Sequence, residues 1–342
     1  MLRLLELLEQ RGIGALVVTK MENVRYLCGF TGSSAVALVT PKRRLLFTDG
    51  RYSEQAADEC PSWELVVCHG DSLEEIARSI PKGATVGFEE TASYSFYRKL
   101  EGSLSPGSGT EPVSGVVEEL RVRKDPEEIM AISQALKCAS LGFKAVAPLI
   151  APGAVENDIA ARLDYEMRKA GAHGPAFDTV VAGGPRSSRP HARSTDLPLQ
   201  EGYTVVVDFG AQLDGYRSDI TRTLLLGDNQ RGKALLEAVG SAMESALEKL
   251  EPGVPACEVD AAARLYLDKL GLAPMFVHSL GHGIGLETHE RPTLSERSED
   301  KLEPGMVFTV EPGLYLEGTM GIRLEEMVLM TEEGARVLSS AV

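Results

Sequence analysis

The sequence predicts an α/β domain over residues 1–120, followed by a larger second domain over residues 121–342 built from two related halves. Three observations carry this reading. The 342 residues amount to about two domains of roughly 150 residues each. In the first third, short apolar runs alternate with amphipathic stretches, the pattern of an α/β layer architecture. Beyond it, blocks that begin at Pro152 return in the same order from Pro252.

The opening MLRLLELLEQRG predicts a short amphipathic helix. Glu6 and Glu9 break its apolar surface, whereas a secretory signal needs an uninterrupted apolar core. Residues 15–19, 35–40, 44–48, 64–68 and 85–88 read as strands, with helices over 53–59 and 72–80. The stretch 101–115 is rich in Gly, Ser and Pro and reads as a boundary region. Lys124-Asp125-Pro126-Glu127-Glu128 then predicts a helix start. Asp125 can cap, Pro126 suits the first helical position, and two glutamates suit the positive helix end. The domain boundary is placed near Arg121.

In the second domain PGAVENDIAARLDYEMRKAG starts at Pro152 and PGVPACEVDAAARLYLDKLG at Pro252, an offset of 100. GPAF ending at Phe177 matches APMF ending at Phe276, and EGYTVVVDFG brings Asp208 onto Glu311 of PGMVFTVEPG. Three matches at nearly constant offset point to duplication, with a shared site between the halves.

Composition narrows the function. With 50 acidic and 35 basic residues, the net charge is −15, which argues against nucleic-acid binding, because phosphate neutralisation needs clustered Lys and Arg. No apolar run approaches the ~20 residues of a membrane helix, so no membrane partner is expected. Five cysteines form no CxxC pair, which fits a reducing, cytoplasmic location better than a disulfide framework.

Carboxylates and histidines carry the chemistry. Asp208 closes the run Val205-Val206-Val207, and Asp219 lies at the start of the next β-like run. Between them Leu213-Asp214-Gly215 signals a turn. A hairpin centred between Leu213 and Asp214 sets the two aspartates opposite each other, with Cβ atoms roughly 4.5–5.5 Å apart. Carboxylates that close call for a proton or a cation. In the second half Glu311 ends an apolar run, and GIRLEEMVLM offers Glu325 or Glu326, between which strand alternation does not choose. Five of six histidines fall between His173 and His289, three of them in HSLGHGIGLETHE. Histidines gathered beside a carboxylate quartet point to a metal site.

VVVDFGAQLDGYRSDITRT, GHGIGLETHE, TVEPGLY and GIRLEEM resemble, in order and spacing, the blocks of the dinuclear-metal peptidases with the pita-bread fold. YLCGFTGSSAVALVT and LLFTDGRY resemble the first domain of the prolidase and aminopeptidase P branch. The resemblance implies a creatinase/prolidase-type α/β N-terminal domain and an α+β pita-bread catalytic domain with a pseudo-two-fold repeat. It implies Asp208, Asp219, His282, Glu311 and Glu325 as ligands of two divalent ions, with Asp219 and Glu325 bridging. His191 and His289 would bind substrate and stabilise a developing oxyanion, and Glu311 would shuttle a proton to the leaving nitrogen. Manganese or cobalt suits this oxygen-rich set better than zinc. The loop AGGPRSSRPH departs from the family pattern of a serine-glycine pair and an asparagine before the histidine.

The expected substrate is a short proline-containing peptide, cut at the Xaa-Pro bond. Arg291, after the ETHE block, is a candidate clamp for the proline carboxylate of a dipeptide, its alternative being a solvent-facing loop arginine. That clamp favours an Xaa-Pro dipeptidase over an Xaa-Pro aminopeptidase. A metal-free creatinase-like hydrolase or peptide-binding module is disfavoured, because all five ligand positions are intact. The relatives' habit implies a homodimer. GDNQRGKA, starting at Gly227, imitates a phosphate loop, but Ala234 stands where a magnesium-binding hydroxyl is required, so it reads as a turn into a helix.

Overall fold

The computed structural model describes residues 1–340. It divides into two compact units, Met1–Arg121 and Val122–Val342.

The first unit runs α1 (Leu2–Gln10), β1 (Ala15–Val18), α2 (Met21–Cys28), β2 (Ala35–Val39), β3 (Arg44–Asp49), α3 (Ser53–Glu59), β4 (Glu64–Cys68), α4 (Leu73–Ser79), β5 (Thr85–Glu89), α5 (Tyr94–Ser103), β6 (Gly109–Val113) and α6 (Val116–Arg121). The strands form one six-stranded sheet in the order β4-β3-β2-β1-β5-β6. Pairs β3–β4 and β5–β6 are parallel, each bridged by a helix, as a parallel crossover requires. The central strand β1 reads ALVV without alternation because both faces are covered. Leu16 and Val18 pack with α1 and α2, while Ala15 and Val17 pack with α4 and α5. Lys20 supplies no side-chain cap to α2. Glu89, at the end of β5, accepts from the Thr19 and Lys20 amides at 2.6 and 2.7 Å and so fixes the chain just before the helix. The stretch 101–115 is not a linker but holds the end of α5 and the edge strand β6. Its Gly, Ser and Pro suit an edge, where one side of the backbone needs no partner.

The second unit opens on α7 (Pro126–Val146). Asp125 Oδ1 accepts from the Glu127 and Glu128 amides, both at 2.9 Å, and Glu128 accepts from the Asp125 amide at 2.9 Å. This is a complete capping box. With its 3-10 extension to Leu149, α7 has the length and hydropathy of a membrane span. One face, including Ile132, Leu136, Ala139 and Phe143, is nevertheless core. Charged Lys137 and Lys144 also lie along it.

There follow α8 (Glu156–Lys169), β7 (Gly174–Pro175), β8 (Val180–Gly183), β9 (Thr204–Phe209), β10 (Ala211–Leu213), β11 (Tyr216–Arg217) and β12 (Ile220–Leu225). The second half repeats the sequence: α9 (Gln230–Leu247), α10 (Ala256–Lys269), β13 (Gly281–Gly283), β14 (Glu290–Leu294), β15 (Val307–Val310), β16 (Gly313–Leu316), β17 (Met320–Arg323), β18 (Glu326–Thr331) and β19 (Gly334–Val337). The sheet β12-β9-β8 corresponds to β18-β15-β13 within the five-stranded sheet. The duplication inferred from the sequence is thus visible as repeated elements. GDNQRGKA forms the turn into α9, with Asn229 capping through the Gly232 amide at 2.7 Å.

Strand alternation separates core from site. In β9, Val205, Val207 and Phe209 pack with α7 and α8, leaving Asp208 on the opposite face. In β15, Phe308 and Val310 pack with α9 and α10, leaving Thr309 and then Glu311 on the other.

The hairpin register differs from the sequence expectation. Asp208 pairs with Thr221, not Asp219, because the two-residue turn is Asp214-Gly215. Both turn residues have positive φ, 47° and 78°, as a type I′ turn demands. The hairpin is therefore centred one residue further along, and opposed positions move by two. A shift of two keeps a side chain on the same face, so Asp219 still shares a face with Asp208.

Candidate metal centre

Five acid and imidazole side chains converge where the inner faces of the two halves meet. Ligand atoms of Asp219, His282 and Glu325 all lie within 4.8 Å of one another. His282 Nε2 is 3.2 Å from Glu311 Oε1 and 3.7 Å from Asp219 Oδ2. Asp208 adds a charge that both Asp219 and Glu325 feel.

Backbone rules explain how each arrives. His282 stands between Gly281 and Gly283, where a Cβ would lie 2.0 Å from the Thr309 carbonyl oxygen and 2.1 Å from that of Arg291. Only glycine allows β13 to sit that close to its neighbours. The pairing of β13 with β14 shifts register right after His282. His282 Nδ1 lies 3.0 Å from the Gly283 carbonyl, which fixes the ring and leaves Nε2 for the cluster. Glu325 falls in the break between β17 and β18, so strand alternation never applied to it. Its amide donates to the Thr221 carbonyl at 3.1 Å, which turns the side chain inward, while Glu326 is taken by Arg222.

A second ring of residues, not singled out in the sequence, holds the first. Buried Arg323 donates from Nη2 to Asp208 Oδ2 at 2.6 Å, from Nε to Thr221 Oγ1 at 3.0 Å and from Nη1 to the Tyr315 hydroxyl at 2.7 Å. Thr221 Oγ1 donates to Glu325 Oε2 at 2.8 Å, and Thr309 Oγ1 to Glu311 Oε1 at 3.1 Å. His278 Nε2 lies 3.0 Å from the Tyr315 hydroxyl. The signal for Arg323 was its place two residues before Glu325. The threonines carried none, because their role depends on register.

The cluster is electrostatically stressed. Burial, then the neighbouring acids, push Asp219 and Glu325 well above the usual carboxylate range. Burial alone would raise Glu311 too, but the hydrogen bond and charge of His282 hold it down to about 2. Burial opposes protonation of His282, yet Glu311 and Glu325 outweigh it and lift the imidazole to about 9.

Asp208 Oδ1, Asp219 Oδ1 and Glu325 Oε1 are buried without a hydrogen-bond partner. Orphaned buried carboxylate oxygens are costly, and divalent cations are the partners that satisfy several at once. The donor set of carboxylates and one imidazole therefore fits such ions.

The two remaining predicted histidines differ in placement. The His289 ring lies 4.3 Å, centroid to centroid, from that of His282. Burial and the His282 charge lower its pKa, keeping it neutral near pH 7. His191 is exposed on the loop after β8, next to Pro190, whose carbonyl accepts from Arg323 Nη1 at 3.2 Å. Buried Glu156 gathers both feet of that loop. It accepts from the Gly183 amide (2.9 Å), Arg186 Nε (3.1 Å), and the Thr195 amide and hydroxyl (3.0 and 2.7 Å). The departure in AGGPRSSRPH is thus partly an internal tether, Arg186 to Glu156. Arg291, a clamp or a solvent-facing loop arginine in the sequence, is engaged by a neighbour in this structure. Its Nε and Nη2 both donate to Asp300 Oδ1, so the fork of a bidentate clamp is already taken.

The comparisons agree with this geometry. Residues 130–332 match the model of metallopeptidase family M24, and residues 1–123 match the creatinase/prolidase N-terminal domain. The chain is 35% identical to an Xaa-Pro dipeptidase of Pyrococcus furiosus, over 98% of this chain and 96% of that protein. It is similar to the solved structure of an Xaa-Pro dipeptidase from Bacillus anthracis, with TM-score 0.94 and 36% identity, covering 99% and 96% of the two chains. It is also similar to an X-Pro aminopeptidase from Thermotoga maritima, with TM-score 0.87 and 38% identity, covering 96% of each chain. A pita-bread metallopeptidase fold behind an α/β N-terminal domain, with acids and an imidazole converging between its halves, leads to one assignment: the chain belongs to metallopeptidase family M24, in its prolidase and aminopeptidase P branch.

Proposed function

We propose that the protein is a metal-dependent exopeptidase cutting the Xaa-Pro bond of short peptides, with dipeptides as the preferred substrates. The observation that carries it is the group of three orphaned, buried carboxylate oxygens around His282, in a chain related over nearly its whole length to Xaa-Pro dipeptidases. Asp208, Asp219, His282, Glu311 and Glu325 would hold two divalent cations, manganese or cobalt before zinc. Bound there, the ions supply Lewis acidity for activating water and polarising the scissile carbonyl.

The chain's own residues do the rest. Arg323 holds Asp208 and, through Thr221, Glu325 in fixed orientation. His289, neutral near pH 7, offers an N–H to the carbonyl oxygen as negative charge develops on it. His191 contributes a second donor from the loop tethered by Glu156. Glu311, beside His282, is the carboxylate that would take the proton released by the attacking water and pass it to the leaving nitrogen. An imide bond before proline has no N–H to recognise, so shape positions it.

A second reading, Xaa-Pro aminopeptidase, draws on the engagement of Arg291 by Asp300 and on the Thermotoga relative. The deciding comparison is kcat/KM for an Xaa-Pro dipeptide against the matching Xaa-Pro-Yaa tripeptide, with manganese present. A dipeptidase favours the first. A tenfold preference for the tripeptide, about 1.4 kcal/mol, overturns that assignment. The five free cysteines support a reducing, cytoplasmic setting, and a homodimer is the proposed assembly.

A further inference from the structure

Lys124 and Glu290 have no part in the reading above, yet they meet at the loop that carries His289. Lys124 directly precedes the capping box of α7, and Glu290 directly follows His289 at the start of β14. Lys124 Nζ lies 3.1 Å from Glu290 Oε2, with side chains only 1% and 6% exposed. The Lys124 amide donates to the Gly305 carbonyl at 2.7 Å, which fixes the cation to the turn before β15.

The carboxylate organises the loop in turn. Glu290 Oε1 accepts from the Glu287 amide at 2.9 Å, and the Gly285 amide donates to the Glu287 carbonyl at 3.1 Å. A Cβ on Gly285 would lie 2.8 Å from Glu290 Oε2, so the loop backbone packs directly on the carboxylate. Residues 285–290 thus curl around Glu290. On the other side of His289, Thr288 Oγ1 accepts from Arg217 Nη1 at 3.1 Å. His289 itself is different. Among the described residues its ring makes no hydrogen bond, and its ring contact is the 4.3 Å approach to His282. The backbone of the loop therefore sets where the imidazole lies. A buried ion pair adds little stability over apolar side chains of similar volume, so what two buried charges contribute at this loop is geometry.

We propose that the Lys124–Glu290 ion pair is a positioning device, holding His289 beside His282 where its N–H meets the developing oxyanion. This deepens the Xaa-Pro peptidase reading and rests on it.

The test uses Glu290→Met and the double variant Lys124→Met/Glu290→Met. The double variant exchanges the pair for apolar side chains of similar length, leaves no unpaired charge, and serves if the single one does not fold. In the zinc-loaded full chain with isotope-labelled histidines, wild type is expected to show magnetic cross-relaxation between the ring protons of His282 and His289. The variants are expected to lose that cross-peak. In the manganese-loaded chain, on Ala-Pro or Ala-Pro-Ala, whichever wild type cleaves faster, kcat falls about tenfold or more. KM and metal content change by less than about twofold, as for a group that acts only in the transition state. In a His289→Ala background the same substitutions lower kcat by no more than about twofold further, because residues acting through His289 are coupled to it. A pair that merely stabilises the fold keeps the cross-peak and multiplies its loss with that of His289→Ala. Either result overturns the proposal, as does a wild type without the cross-peak. If wild type cleaves no Xaa-Pro peptide, the peptidase reading fails separately and the cross-peak decides alone: its loss in the folded variants sustains the positioning role, and its persistence overturns it.

Discussion

Thr221 shows how much a single uncharged residue decides in this site. Its hydroxyl donates to Glu325 and accepts from Arg323, so Thr221→Val leaves a buried carboxylate oxygen and a buried N–H without partners. Partners of this outer kind typically set metal affinity by 10- to 100-fold. Metal titration of Thr221→Val is expected to show a loss of about that size, and unchanged affinity would refute the role. His289 makes a different contribution, since it lies against His282 while standing outside the proposed ligand set. His289→Ala should keep its metal content and lose turnover by about 10²–10³-fold, the range for removing one oxyanion donor. Full turnover with metals retained removes that role.

At the scale of elements, β13 and the loop after β8 carry the site in opposite ways. β13 is held by close backbone approach. A methyl group at Gly283 meets the Arg291 carbonyl at 2.1 Å, so Gly283→Ala must push β13 away from β14 and carry His282 with it. Overpacking of this kind costs about 1–3 kcal/mol or more. A lowered urea midpoint together with reduced metal content is the expected result. The loop 184–194 has its two feet gathered by one carboxylate, with Arg323 and the Gly321 amide also holding Pro190 and Ser187. Glu156→Gln removes the charge that receives the Gly183 amide, Arg186 and Thr195. The variant should keep its metals, raise KM and become cleavable by trypsin after Arg186 or Arg193. Resistance equal to wild type would show that the tether does not order the loop.

For the molecule as a whole, the stressed cluster makes stability depend on metal and pH together. Asp219 and Glu325 bind protons more tightly folded than unfolded, so the folded state holds more protons than the unfolded one. Stability then falls as pH rises from the ordinary carboxylate value of about 4 through their raised values. His282, lifted to about 9, acts in the same direction from about 6.5 upward. Glu311, held to about 2, opposes them only below about pH 4. Thermal melts with a chelator should therefore show Tm falling between about pH 5 and pH 9, with a shallower dependence once metal is restored. Equal slopes would mean that the ions do not neutralise these groups. Sedimentation at micromolar concentration tests the proposed homodimer, which a single species at the chain mass of 36.8 kDa would refute.

Local rules determined much of this protein. The capping residues Asp125, Pro126 and Glu128 started α7 as written, because a cap is a matter of three or four neighbouring residues. Apolar alternation in Val205–Phe209 placed Asp208 away from the helices, because a strand has only two faces. The 100-residue offset revealed the duplication, because each half must bury the same faces. What depends on register or on distant partners was decided only in three dimensions. The Asp214-Gly215 turn moved the hairpin's centre by one residue and its opposed positions by two, and the break before Glu326 turned Glu325 inward. Asp300, nine residues away, closed the fork of Arg291. A side chain's partner across a fold follows from the packing of whole elements, and no local pattern of residues encodes it.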